Sequence, residues 1–234
     1  FGNVLTLVDL GCGDGSKAVK IAYELGGLGK NVKLELCDIS QDFLAMAKRC
    51  TRRYEVRARG RILDVSLPIS HHFKIRDNYP YLFMFLGQTL GNFENPEEVF
   101  NNISDAMRQG DRLMLEIDLE KDEHIYRDAE PLMKEYVKLL GLNEGDVVYN
   151  VKSTSEGIEM YFELAQNRIL FLDGERVCLS KGQRILVGKS MRFELNDIRG
   201  MYESSGLRPI YEADQKLSPR YVTVLEKPLF RKIL

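Results

Sequence analysis

The sequence predicts an α/β fold: a mostly parallel sheet with helices on both faces and a β-rich insertion. Two observations carry this prediction. Short apolar runs of β-formers alternate with helical periodicities through the first 120 residues, which is the pattern of βαβ units. Beyond that point the β-runs come close together with turn residues between them, and a helix and two more runs close the chain.

The elements follow in order. Leu5 to Leu10 reads as a strand and runs into the glycine cluster Gly11-Cys-Gly-Asp-Gly15. Ala18, Ile21, Ala22 and Leu25 then share one helical face, with Gly26-Gly27 as the stop. Val32 to Cys37 is a second strand ending at Asp38, and Ser40 caps a helix from Gln41 to Cys50. Arg61 to Leu63 is a short third strand ending at Asp64, and Tyr81 to Leu86 a fourth, fully apolar one. Asn95 caps the next helix, with Pro96 at its first position and Glu97 and Glu98 in its first turn. That helix ends near Arg108, and Arg112 to Ile117 is a fifth strand ending at Asp118.

Glu123 to Leu140 is helical by pattern. Val147 to Val187 alternates as β-runs, with turns at Glu156-Gly157, Asp173-Gly174 and Lys181-Gly182. Asn196 to Ser205 returns to helix, and Ile210 to Ala213 and Tyr221 to Leu225 are closing strands. The expected division is a core over 1–122, a helix plus β-rich insertion over 123–192 acting as a substrate lid, and closing elements over 193–234. An insertion of this size exceeds an ordinary connection, which marks function.

Composition narrows the function. The 234 residues carry a formal charge of 33 − 35 = −2, so no general attraction to nucleic acid or membrane is expected. One basic cluster, Lys48, Arg49, Arg52, Arg53, Arg57, Arg59 and Arg61, is read as a solvated helix end and loop. No apolar run is long enough to span a bilayer, and no signal peptide is visible. Cys12, Cys37, Cys50 and Cys178 form no CxxC pair and are read as reduced thiols, so a cytoplasmic protein is expected. On a regular element His71 and His72 point in different directions, so they are read as surface residues and no metal site is expected.

The chemistry concentrates at strand ends, where open α/β sheets hold their ligands. Gly11, Gly13 and Gly15 let the backbone turn tightly and approach a ligand closely. The spacing is G-x-G-x-G; the dinucleotide fingerprint wants glycine where Ser16 stands, and no Walker loop is present. Asp38 stands where a carboxylate takes two ribose hydroxyls, Asp64 where one accepts from an adenine amino group, and Asp9 just before the loop. Three acids without a pyrophosphate-binding cation suit an adenosine that carries an amino group. Lys17 either reaches a ligand carboxylate or is a solvated helix residue.

Val8-Asp-Leu-Gly-Cys-Gly-Asp-Gly15, Asp38-Ile-Ser40 and Asp64 together resemble class I methyltransferases, which use S-adenosylmethionine. The resemblance implies a Rossmann-like core with a seven-stranded sheet. It also implies a cofactor site drawn from Asp9, Gly11, Gly13, Lys17, Asp38, Ile39, Asp64, Val65, Gly87 and Gln88. Phe85-Leu-Gly-Gln-Thr-Leu-Gly-Asn-Phe93, Asp118-Leu-Glu-Lys-Asp122, Tyr149-Asn150, Ile158-Glu-Met160 and Ser190 to Phe193 look, in order and spacing, like the histidine-specific methyltransferases of ergothioneine biosynthesis. That resemblance spans nearly all of the chain, without the family's N-terminal helical part.

By this resemblance Asn92 meets the acceptor's amine and carboxylate, and Met160 and Ser190 lie in the substrate pocket. Each has a plainer reading: Asn92 as a turn residue, Met160 as core, Ser190 as a sheet hydroxyl. The family's E-x-S pair, which reads the imidazole, falls on Gly188 and Ser190, so the serine is kept and the glutamate lost. Its Tyr-Asp-Asp-Ala segment is altered at Tyr126-Arg-Asp-Ala129. The resemblance thus implies a methyltransferase for a small amino-bearing acceptor, an amino acid first among them; methyl transfer from a sulfonium needs no metal, and a monomer is favoured over an oligomer. The alternatives are another small molecule, a protein residue, or a non-catalytic cofactor-binding scaffold.

Overall fold

A computed structural model describes residues 3–73, 79–119, 123–128, 130–172, 174–213 and 220–228. The chain divides into two compact units, Phe1–Leu119 with Phe193–Leu234, and Glu120–Arg192.

The first unit is built on seven strands: β1 (Val4–Leu10), β2 (Asn31–Asp38), β3 (Ala58–Ile62), β4 (Tyr81–Phe85), β5 (Arg112–Asp118), β11 (Arg208–Glu212) and β12 (Arg220–Glu226). Their order is β11-β12-β5-β4-β1-β2-β3. The pairs β1–β2, β1–β4, β2–β3 and β4–β5 are parallel, while β12 runs antiparallel to β5 and β11 to β12. After β3 the chain returns to the far side of β1, so the order reverses between β1 and β4, and a switch point of this kind opens a crevice at the carboxyl ends.

Helices α1 (Ser16–Gly27) and α2 (Gln41–Arg53) bury Ala18, Val19, Ala22, Leu44 and Ala47 against Leu5, Leu7, Leu34 and Leu36. Thr6 and Val8, which alternate with those β1 residues, are also buried, so both sheet faces are covered. Ser40 caps α2 by accepting from the Phe43 N–H, and Asn95 caps α3 (Pro96–Ala106) by accepting from the Glu98 N–H. Helix α6 (Leu195–Ser204) is tied to α3 through the Ser205 hydroxyl, which donates to the Asn101 side chain at 2.9 Å.

The second unit holds α4 (Glu123–Arg127) and α5 (Glu130–Leu139) with five strands: β6 (Val147–Ser153), β7 (Gly157–Leu164), β8 (Arg168–Leu172), β9 (Glu175–Leu179) and β10 (Arg184–Met191). They form an antiparallel β10-β7-β6 sheet and a β8-β9 ribbon. Phe162, Leu164, Leu170 and Leu179 pack with Val137 and Leu142. Asp146 holds the base of this unit together. It caps the turn before β6 and pairs with Arg168, whose hydrogen bond keeps its carboxyl well below the usual range.

Four details differ from the sequence reading. Strand β3 starts three residues earlier, at Ala58, because its register is set by pairing with β2, Leu34 opposite Ala58 through Asp38 opposite Ile62. The helix expected over Glu123 to Leu140 is two helices, since Pro131 has no N–H to offer the Arg127 carbonyl. Helix α1 runs through Gly27 and ends at Leu28, with Gly29 in the left-handed region. His71 and His72 lie in a 3₁₀ turn, Ser70–Phe73, which brings their rings to 3.9 Å between centroids instead of apart. Residues 120–122 of the Asp118-to-Asp122 run, and Ala129, lie outside the described residues.

Candidate active site

The carboxyl ends of β1, β2 and β3 and the turn after β4 surround a cavity of about 550 Å³ lined by Gly11, Gly13, Asp38, Ile39, Asp64, Val65, Thr89 and Asn92, with Phe43, Leu63, Ser66 and Phe93. A smaller cavity of about 190 Å³ shares Gly11, Gly13 and Thr89 with it and adds Asp9, Asp14, Ser16, Lys17 and Leu86.

The backbone explains why these residues meet. The N–H groups of Gly11 and Cys12 both donate to the Cys37 carbonyl, at 2.8 and 2.9 Å, which folds the loop over the end of β2. Gly11, Gly13 and Gly15 all take positive φ, as this path demands. At Gly15 a Cβ would also stand 2.8 Å from that of Ala47, so the third glycine serves contact between loop and α2. Asp38 joins the two elements: one oxygen accepts from the Gly13 N–H and the other from the Ser40 N–H, both at 2.9 Å. Each oxygen keeps a second lone pair.

Asp64 lies two residues past β3 and accepts from the Ser66 N–H and hydroxyl, at 2.9 and 2.6 Å, through one oxygen. Asn102 of α3 donates to the carbonyls of Val65 and Ser66, fixing that loop from below. After β4, Thr89–Asn92 forms a 3₁₀ turn that leaves Asn92 exposed at the cavity. Gln88, just before this turn, donates to Asp118 at 2.7 Å.

Charge is uneven here. Asp9 is almost fully buried, and burial raises its carboxyl to about 7, against the opposing pull of Lys17. Burial also raises the thiols of Cys12 and Cys37, the latter to about 12, so both are neutral packing groups. The Lys17 ammonium pairs with Glu116 at 2.8 Å.

The structure therefore brings Gly11, Gly13, Asp38, Ile39, Asp64, Val65 and Asn92 to one cavity, and Asp9 and Lys17 to its neighbour. Gly87 and Gln88, also expected there, line neither cavity. Sequence reasoning did not single out Phe43, Thr89 or Glu116. Phe43 was detectable as an apolar residue in the first turn of the helix that follows Asp38, and Thr89 as the threonine of the Thr-x-Gly-Asn run. Nothing in the sequence paired Glu116 with Lys17.

Met160 and Ser190 belong to the second unit. Ser190 is fully buried and accepts from the Tyr126 hydroxyl at 2.9 Å, while Met160 packs with Tyr126 and Ile158. Gly188 pairs with Met160 across β10 and β7, and a Cβ on it would stand 2.7 Å from the Met160 methyl.

The pieces fit an adenosine bearing an amino-acid tail. One carboxylate is held by two backbone bonds, a second acid stands beyond the next strand, and the loop glycines line the same cavity. Among the described residues no group of three or more His, Cys, Asp or Glu side chains could hold a metal ion, and no helix is long and apolar enough to cross a membrane.

A family model described as histidine-specific methyltransferase, SAM-dependent, matches residues 2–222. No curated protein matches the chain. Similar solved structures include an S-adenosylmethionine-dependent methyltransferase from Clostridium acetobutylicum, with a TM-score of 0.53 at 13% identity over 96% of this chain and 85% of that one. A protein from Pyrococcus horikoshii gives 0.54 at 14% identity, over 94% and 81%. An O-methyltransferase family protein from Burkholderia thailandensis gives 0.54 at 11% identity, over 97% and 52%. At such identities these three bear on the fold alone.

Proposed function

Since the chain belongs to the family of histidine-specific, S-adenosylmethionine-dependent methyltransferases, we propose that it methylates the amino group of a small molecule, an amino acid other than histidine. The observation that carries this reading is the single cavity that joins the glycine loop, Asp38 and Asp64 to Asn92.

The bound cofactor supplies an electrophilic methyl on a sulfonium that already carries its leaving group. The protein's work is then positioning and exclusion of water. Asp38 accepts from the ribose hydroxyls through its remaining lone pairs, and Asp64 from the adenine amino group. Asn92 accepts one amine hydrogen through its side-chain oxygen and donates to a carboxylate through its nitrogen. The amine must be neutral to attack, so the nitrogen's lone pair has to face away from Asn92.

Histidine is set aside because the resemblance loses its imidazole-reading glutamate. A pocket that reads a ring N–H rejects strongly when its buried partner is missing. The family's glutamate is replaced by Gly188, and the space its side chain would need is taken by the Met160 methyl. Ser190 already accepts from Tyr126. The free thiols of Cys12 and Cys37 support a reducing, cytoplasmic setting, and a monomer is proposed with it.

The test is transfer of a labelled methyl from S-adenosylmethionine across a panel of small amines. A non-histidine amino acid should gain label, with histidine slower by roughly a hundredfold, about 2–3 kcal/mol of lost transition-state binding. Asn92→Ala should abolish transfer and leave S-adenosylhomocysteine binding nearly intact. Efficient methylation of histidine would contradict the choice of acceptor, and an active Asn92→Ala enzyme would remove Asn92 from the site.

A further inference from the structure

We propose that Glu116 is a positioning residue for the cofactor's amino-acid end: it holds the Lys17 ammonium at the smaller cavity, ready for the cofactor carboxylate, while Arg220 balances its charge. The proposal rests on reading the two adjoining cavities as one S-adenosylmethionine site.

Four elements contribute to a continuous polar chain. The ammonium of Lys17, in the first turn of α1, lies 2.8 Å from Glu116 Oε1 on β5. The same oxygen takes Arg220 Nη1 of β12 at 3.3 Å. Arg220 Nε reaches Asp118 Oδ1 at 3.0 Å, and Asp118 Oδ2 accepts from Gln88 at 2.7 Å. The Glu116 side chain is only 12% exposed, against 44% for Lys17 and 52% for Arg220, so a sheltered carboxylate organises two cations at the rim. Gly87 completes the seat: a Cβ there would come within 3.3 Å of the Lys17 nitrogen.

Local physics alone would not put the lysine there. A cation in the first turn of a helix opposes the helix dipole, and an exposed lysine on a flexible stem samples many rotamers. Glu116 offsets the first effect and removes the second. An ammonium has three donors and Glu116 takes one, which leaves donors for a second carboxylate. Lys17 lines the cavity that holds Asp9, Gly11 and Gly13, and the start of α1 favours an anion. The ligand group matched to this corner is the carboxylate of the cofactor's amino-acid tail.

The test uses two ligands that differ at that end, S-adenosylhomocysteine and methylthioadenosine, titrated calorimetrically into the wild type, Glu116→Gln and Lys17→Met, with folding checked by circular dichroism. Both substitutions should weaken S-adenosylhomocysteine by about five- to tenfold, the scale of one charged hydrogen bond at a partly exposed site. Methylthioadenosine should stay within about twofold, a selectivity that general damage to the fold would not produce. The double variant should lose no more than either single one, because both act through one contact. Unchanged or tighter S-adenosylhomocysteine binding by Glu116→Gln would overturn the role of Glu116. Equal losses for the two ligands would overturn it as well. If neither ligand binds the wild type, the reading of the cavities falls and this proposal falls with it.

Discussion

Asp38 uses both carboxylate oxygens on backbone N–H groups, Gly13 on one side and Ser40 on the other. Its removal therefore loosens the loop and takes away the proposed acceptor of the ribose hydroxyls. Asp38→Ala should weaken S-adenosylhomocysteine by about 1.5–3 kcal/mol with the fold retained, as calorimetry and circular dichroism would show. Unchanged affinity would place the ribose elsewhere. Asp9 gives a prediction in pH. Its carboxyl is raised from an ordinary value of 3.8 to about 7 by burial, with Lys17 pulling it down and Asp38 and Asp14 pushing it up. Between those values the folded form holds a proton that the unfolded form has released. The stability linked to Asp9 is thus fully present below about pH 4 and is lost as pH rises through about 7. Asp9→Asn should remove that term, so its melting temperature should gain on the wild type from pH 5 to pH 8 and level off above; a gap independent of pH would contradict the assignment. Asp38 was legible in the sequence because it follows the apolar run Val32 to Cys37, and Asp64 because it comes next in order after the glycine loop and Asp38. Glu116 was not, because its partner Lys17 is 99 positions away and no local pattern encodes such a pairing.

At the scale of elements, capping chemistry was the most readable signal: Ser40 and Asn95 cap the helices their side chains suggested. Strand edges were less so. Strand β3 reads Ala-Arg-Gly-Arg-Ile and shows no apolar alternation, since it is the last strand of the sheet and only its neighbour β2 defines its length. Arg59 and the exposed Lys48, Arg49, Arg52 and Arg53 of α2 agree with a solvated edge, since charge discourages edge pairing and cations suit a helix C-terminus; Arg61 does not, because its side chain is only 21% exposed and pairs with Glu35 at 3.0 Å. The glycine loop was read as a ligand floor, and Gly15 turns out to serve packing as well. Gly15→Ala forces a left-handed φ of 74° on alanine and drives a Cβ into Ala47. It should destabilise the protein by about 1–3 kcal/mol, seen as a lower midpoint in urea. Gly26→Ala, where a Cβ meets nothing within 4 Å, should be neutral or stabilising; equal losses at both positions would contradict the packing role.

On the scale of the whole molecule, the alternation of strands and helices was enough to read the parallel core, because each βαβ crossover admits one hand. Strand order was not readable from periodicity, and it places β1 and β4 side by side at the switch point where the cavity opens. Within the second unit the turns were legible from their glycines, whereas the burial of Ser190 and the Gly188–Met160 contact depend on the register of β10 against β7, which no single strand reveals. The strand-end cavity of the first unit is proposed to hold S-adenosylmethionine. Calorimetric titration of the purified chain with S-adenosylhomocysteine, alongside NAD and ATP, tests it most directly. One-site binding of S-adenosylhomocysteine is expected, with no heat of binding from NAD or ATP. Tight binding of NAD with none of S-adenosylhomocysteine would contradict it.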